Sequence, residues 1–170
     1  MVGLEISLIL ATIVSLIFLS KKQKNIIIIF LITFIGVLLF EYFTQALWEN
    51  IGLADWAYLY LDIAWILTLG WTLNILWVTF FVSKQFKNMP KIGSFVTIIL
   101  LSSLLGIVGE IILVKTGIRV YSPEVLALAS GNLIAGAVPI ESLYYVPAFM
   151  TLVVAFKRYW QNNLRIGGED

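Results

Sequence analysis

Apolar residues fall into five long blocks along this chain, separated by short polar stretches. A hydrocarbon core of about 30 Å needs about 20 apolar residues per helix. That length fits Val2–Ser20, Ile26–Trp48, Leu61–Val82, Ile92–Val114 and Leu133–Phe156. The pattern predicts an all-α polytopic membrane protein with five transmembrane helices. The first block has no basic flank before it and no small-residue cleavage site before Lys21, so it reads as a retained helix rather than a secretory signal. Gly, Ser, Asn and Pro gather over Ser122–Gly136, which reads as an irregular or re-entrant approach to the last helix.

Charge orients the blocks. Lys21, Lys22 and Lys24 fill the first loop, Lys84, Lys87 and Lys91 the third, and Lys157, Arg158 and Arg165 the tail; elsewhere only Lys115 and Arg119 occur. The positive-inside rule then expects the N-terminus outside, the C-terminus cytoplasmic and the protein multi-pass in the cell membrane. With landmarks Glu41, Gly52, Trp56-Ala-Tyr58 and then Glu110, Gly117, Arg119-Val-Tyr121, two helix–loop–helix units are expected. The chain divides accordingly into 1–24 (first helix and basic loop), 26–83 (unit one), 92–160 (unit two) and a tail, 161–170, all within one membrane domain.

Composition narrows the chemistry. Hydrophobic residues make up 61% of the chain and charged residues 12%, with a mean hydropathy of +0.99, which belongs to a bilayer rather than to water. There is no cysteine and no histidine, so thiolate sites, thiol nucleophiles, Ser-His hydrolysis and histidine-held metals are excluded. No metal or other cofactor is expected, and the net charge of +1 gives no sign of nucleic acid.

Acids inside apolar blocks are costly and mark function. Glu41, Glu110 and Glu141 each lie one or two turns from the outer end of their predicted helices, so their carboxyls are expected at similar depth in the outer leaflet. Asp62 is near the same level. By helical spacing Gln45 shares a face with Glu41, and Tyr144 and Tyr145 share one with Glu141, while Trp71, Asn74 and Trp77 form a stripe on the third helix. A carboxyl among apolar and aromatic groups favours its neutral form, and a neutral acid in a dry pocket is a proton donor. Structural readings stand beside these: Glu110 pairing with Lys115, Glu41 hydrogen-bonding a neighbouring helix, and tryptophans and tyrosines serving as an interfacial belt.

Val138-Pro-Ile-Glu-Ser-Leu-Tyr-Tyr145, entered from Gly117-Ile-Arg-Val-Tyr121, resembles the small membrane lycopene cyclase domain. There a Gly-x-Trp-x-Tyr-like loop precedes a helix carrying Pro-x-Glu-Glu and then aromatic residues. Here Ser142 stands at the second acid, Arg119 at the loop tryptophan, and Gly70-Trp71 where the first unit would carry Pro-Glu. The first unit also resembles carotenoid hydratase-like membrane proteins. The resemblance implies cofactor-free, acid-catalysed cyclisation, isomerisation or hydration of a polyene, an isomerase or lyase chemistry. It implies Glu141 as acid, Glu41 or Glu110 as partner carboxylate, and Tyr144, Tyr145, Trp71 and Trp77 as a cation-stabilising wall. Two other functions fit the pattern: a small proton-coupled or cation transporter, and a lipid-binding membrane subunit without turnover. The expected partner is a hydrophobic small molecule or lipid, with a second copy of the chain as a further candidate because five helices enclose little.

Overall fold

The computed structural model describes residues 2–166. Along the chain run α1 (Val2–Ser20), α2 (Ile26–Thr44), β1 (Trp48–Asn50), β2 (Tyr58–Tyr60), β3 (Ile63–Ala64), α3 (Trp65–Gln85), α4 (Lys91–Lys115), β4 (Arg119–Tyr121), α5 (Pro123–Leu128), β5 (Leu133–Ile134), β6 (Val138–Pro139) and α6 (Ser142–Asn163). The five long helices form one bundle: α2, α3, α4 and α6 close a ring, and α1 packs outside it against α3 and α2.

The bundle has apolar residues on its outside as well as its inside, as a lipid-solvated protein should. Leu10 and Val14 on α1, Ile27 and Leu31 on α2, and Leu100 and Leu104 on α4 are exposed. Many polar side chains of the helices turn inward instead: Thr33, Glu41, Thr68, Thr72, Ser102, Ser103 and Glu110 are buried. Helices α1 to α4 are each long and apolar enough to cross a membrane, and the chain is an integral membrane protein. The middle of the ring is an apolar core of Val37, Ile75, Val78, Ile107, Met150 and Val153.

The predicted spans coincide with α1 to α4 within a few residues, but the fifth starts later than expected. Leu133–Glu141 is not helical; β5 and β6 pair there as a two-stranded ribbon, Leu133 opposite Pro139 and Ile134 opposite Val138. Ala135 and Gly136 turn the ribbon with φ of 51° and 65°, a left-handed pair that no helix continues through. The stretch from Ser122 is otherwise occupied by the six-residue α5, whose N-cap Ser122 accepts a hydrogen bond from the Val125 N–H.

The connections differ at the two ends of the bundle. Lysine-rich turns of a few residues join α1 to α2 and α3 to α4, whereas the long connections 45–64 and 116–141 share the other end. There β1 pairs antiparallel with β4, setting Trp48 opposite Tyr121, Glu49 opposite Val120 and Asn50 opposite Arg119. A two-stranded seam thus ties the loop after α2 to the loop after α4, and it roofs the helix ends that carry the buried Glu41 and Glu110.

Candidate functional site

Glu110 is five residues from the end of α4, and the turn that ends this helix delivers its partner. Gly117 has φ of 71°, its N–H donates to the Val114 carbonyl, and the Ile118 N–H donates to the Leu113 carbonyl. This paired closure satisfies the helix's last carbonyls and needs a residue that tolerates the left-handed region. The chain therefore reverses within three residues, and the first residue of β4, Arg119, lies back against Glu110. The Arg119 Nη1 group donates to Glu110 Oε1 in a buried ion pair, the two side chains only 1% and 2% exposed.

Arg119 is held from three sides. Its Nε donates to Asn50 Oδ1 at 2.8 Å across the β1–β4 seam, and its guanidinium lies 4.7 Å from the centroid of the Trp48 ring, within the reach of a cation–π attraction. Asn50 is itself fixed by donating through Nδ2 to the Asp62 backbone carbonyl. On the other carboxylate oxygen of Glu110, the Tyr121 hydroxyl approaches to 3.4 Å, and it also meets the Tyr145 hydroxyl at 2.8 Å. Burial foremost, and then the Glu110 charge, push the Tyr121 phenol well above its ordinary range, so it remains a neutral donor.

Glu41, on the last turn of α2 and 4% exposed, has a different environment. Its one hydrogen-bond partner among the described residues is Thr68 on α3, whose hydroxyl donates to Oε2. The Thr68 oxygen is also 3.3 Å from the Ala64 carbonyl. A hydroxyl both donates and accepts: with Glu41 ionised it donates to the carboxylate, and with Glu41 protonated it accepts the acid proton and donates to Ala64. The pair accommodates a proton on the carboxyl without moving a heavy atom.

Between α2 and α6 a cavity of about 190 Å³ joins these groups. Glu41, Glu110 and Arg119 form its polar wall, and Phe40, Trp48, Trp71 and Phe149 its aromatic lining. Trp71 meets Phe149 with centroids 5.7 Å apart and Phe40 meets Phe149 at 6.1 Å, both edge-on. Trp71 reaches this position across Gly106 of α4, where even a methyl group would stand 2.5 Å from the indole. Ala148 and Leu152 on α6 also line the cavity and are exposed. The cavity thus runs from the apolar flank of the bundle inward to the ion pair.

Of the residues singled out from the sequence, the structure brings Glu41, Glu110, Trp71 and Tyr145 to this cavity and places the others elsewhere. Glu141 is not two turns inside a helix; it precedes α6, partly exposed, and its Oε1 accepts the Ser130 N–H at 2.8 Å. That hydrogen bond holds its carboxyl below the usual range, the reverse of what a buried acid shows. Tyr144 is 77% exposed. Trp77 stacks on Phe18 and donates to Ser15 Oγ at 2.9 Å, fastening α3 to α1. Asn74 donates to the Ser102 carbonyl, joining α3 to α4, Asp62 serves the site through its backbone alone, and Gln45 lies in the turn after α2. Glu110 pairs with Arg119 rather than with Lys115.

Arg119, Asn50, Thr68 and Trp48 belong to the site without having been singled out for it. A signal for Arg119 was present: a buried carboxylate needs a counter-ion, and Lys115 and Arg119 are the only cations on that side of the sequence. No group of three or more potential acidic, histidine or cysteine metal ligands occurs among the described residues. No protein-family model, no characterised protein and no solved structure matches the chain.

Proposed function

We propose that this integral membrane protein takes one end of an elongated apolar molecule, an isoprenoid or related polyene, into the α2–α6 cavity and that Glu41 transfers a proton to it. The observation that carries the reading is the joining, in one cavity, of a carboxyl hydrogen-bonded only by a hydroxyl, an arginine-paired carboxylate and a cluster of aromatic rings. At about 190 Å³ the space is below the roughly 300–1,000 Å³ of sites that enclose a whole small molecule. It suits an end group, with the rest of the chain lying along the exposed apolar face of α6.

The chemistry is redox-neutral. The Glu41 proton adds to a terminal carbon–carbon double bond, the π electrons form the new C–H bond, and a tertiary carbocation results. Phe40, Trp71 and Phe149 present ring faces and edges around it, and cation–π attraction in a desolvated site is worth about 2 kcal/mol per contact. A neighbouring double bond then closes a ring, or a double bond shifts, and a proton returns to the Glu41 carboxylate, so the product is an isomer. Where water adds instead, its surplus proton goes back to Glu41 and the product is a hydrate. Arg119 and Tyr121 hold the Glu110 carboxyl in place on the cavity wall, where its oxygens present a fixed dipole to the developing cation. The likeness to lycopene cyclase domains supports the same class of substrate, with Glu41 of the first unit in the role that the resemblance assigns to Glu141. Proton-coupled transport has less support, because the core between the two ends of the bundle is packed chiefly with Val37, Ile75, Val78, Met150 and Val153.

Glu41→Gln keeps the shape of the side chain and removes the acid. Purified in mild detergent and extracted for chromatography and mass spectrometry, the wild type should carry a product, and the variant the unreacted isomer or a species one water lighter. Identical extracts from both proteins would show that Glu41 does no chemistry.

A further inference from the structure

An arginine side chain carries a fork of N–H donors and no acceptor, and the donors of Arg119 are unevenly used. Its Nε donates to Asn50 Oδ1 at 2.8 Å and its Nη1 to Glu110 Oε1. Nη2 is buried and has no hydrogen-bond partner among the described residues. A guanidinium and a carboxylate commonly meet through parallel hydrogen bonds, which would engage Nη2 as well. Here Glu110 Oε2 is the oxygen that the Tyr121 hydroxyl approaches. The pair is joined at one point, and the Nη2 donors are left over.

The place of this group in the fold points to a ligand. Arg119 lines the α2–α6 cavity beside Glu41, Glu110 and Trp48, and its side chain is 1% exposed, so bulk water does not serve the donors. The Trp48 ring, 4.7 Å from the guanidinium carbon, shields one face. Other buried side-chain atoms lack partners too, among them Asn74 Oδ1, Ser102 Oγ and Ser103 Oγ, but these residues do not line the cavity. Of the unpartnered atoms among the described residues, only Arg119 Nη2 belongs to a residue of the cavity wall. A buried donor loses its hydration on folding and recovers nothing until it meets an acceptor.

We propose that the molecule entering the cavity carries a neutral oxygen acceptor on its end group, a ketone carbonyl or a hydroxyl, and that Arg119 Nη2 donates to it. The proposal rests on the reading of this cavity as an end-group site, and it narrows the substrate class from a hydrocarbon polyene to an oxygenated isoprenoid. A hydrocarbon end leaves the Nη2 donors unpaired, and sites built to hydrogen-bond a polar group discriminate strongly against analogues without it. An anionic end is disfavoured: Glu110 already faces the guanidinium, and a carboxylate or phosphate would sit beside Glu110 and Glu41 in an apolar enclosure. A ketone oxygen accepts the hydrogen bond without bringing a charge into the cavity, and Phe40, Trp71 and Phe149 are left to pack on the carbon skeleton.

The test uses the full chain in phosphatidylcholine nanodiscs. The probes are farnesylacetone, an acyclic isoprenoid ketone, the hydrocarbon in which a methylene group replaces its carbonyl, and the matched carboxylic acid, each at the same mole fraction of the bilayer. Occupancy is read by native mass spectrometry. The wild type should favour the ketone over the hydrocarbon by about 10- to 100-fold, the worth of a hydrogen bond to a charged donor. Arg119→Lys keeps a cation for Glu110 but lacks the fork, and it should lose most of that preference while still taking up the hydrocarbon. The bound ketone should also show its infrared carbonyl band at lower frequency than in the bilayer, a readout on the wild type that needs no variant. Equal binding of ketone and hydrocarbon to the wild type, or an unshifted carbonyl band, would overturn the proposal, and displacement of both probes by Ala148→Phe at the cavity mouth would then leave the end-group reading standing. Probes that bind Ala148→Phe as they bind the wild type, or that bind neither protein, would contradict the cavity reading itself and this proposal with it. Tighter binding of the acid than of the ketone would overturn the neutral acceptor.

Discussion

Two glutamates of the same type and depth have been given different electrostatic fates by their neighbours. Glu110 faces a guanidinium and a phenol, and Glu41 faces a hydroxyl. Burying a charge pair is costly, and what makes it tolerable is geometry, so removing one partner is worse than removing both. Glu110→Gln or Arg119→Met alone should each lower the unfolding free energy by about 3–5 kcal/mol, measured by titration with a denaturing detergent. The double variant should lose clearly less than the sum of the two. Strict additivity would mean that the pair is not coupled. The acids could be found from the sequence because a charge inside an apolar block is conspicuous. Their partners could not, since Arg119 and Asn50 sit in the two long connections, whose pairing depends on contacts 69 residues apart.

Among the elements, the turn that closes α4 places the chemistry. Gly117 sits in the left-handed region, which costs a residue with a side chain about 1–2 kcal/mol. Gly117→Ala should therefore lower stability by about that amount and loosen the register of Arg119 on Glu110. The same change at the half-buried helical Gly109, which has open space for a methyl group, should be neutral or slightly stabilising. An unfolding titration of both variants checks the contrast, and equal effects would remove the turn from the account. Element positions were legible where a block was long and uninterrupted, as in α1 to α4. The start of α6 lies later than hydropathy predicts because Leu133, Ile134, Val138 and Ile140 are as apolar as helix residues, and hydropathy does not distinguish an apolar ribbon from a helix. The ribbon was decided by the turn at Ala135 and Gly136. That shift carried Glu141 out of the bundle interior. The pairing of Trp48-Glu-Asn50 with Arg119-Val-Tyr121 has no signal in the hydropathy of either segment.

At the scale of the whole molecule, the bundle keeps an acid-bearing cavity at one end and a basic cavity at the other, with an apolar core between them. The first follows from helices that carry their carboxyls to one level, and the second from short lysine-rich turns. If the α2–α6 cavity receives the end of an apolar molecule, Ala148 gives direct access to it. This residue lines the cavity and is exposed, so Ala148→Phe fills the mouth at a stability cost of about 0.5 kcal/mol or less. The decisive measurement is native mass spectrometry of the wild type and this variant released from the same detergent. The wild type should carry an apolar adduct distinct from bulk phospholipid, and Ala148→Phe should lose it with the unfolding temperature preserved. Equal occupancy of both proteins, or a wild type that carries only bulk phospholipid, would contradict it.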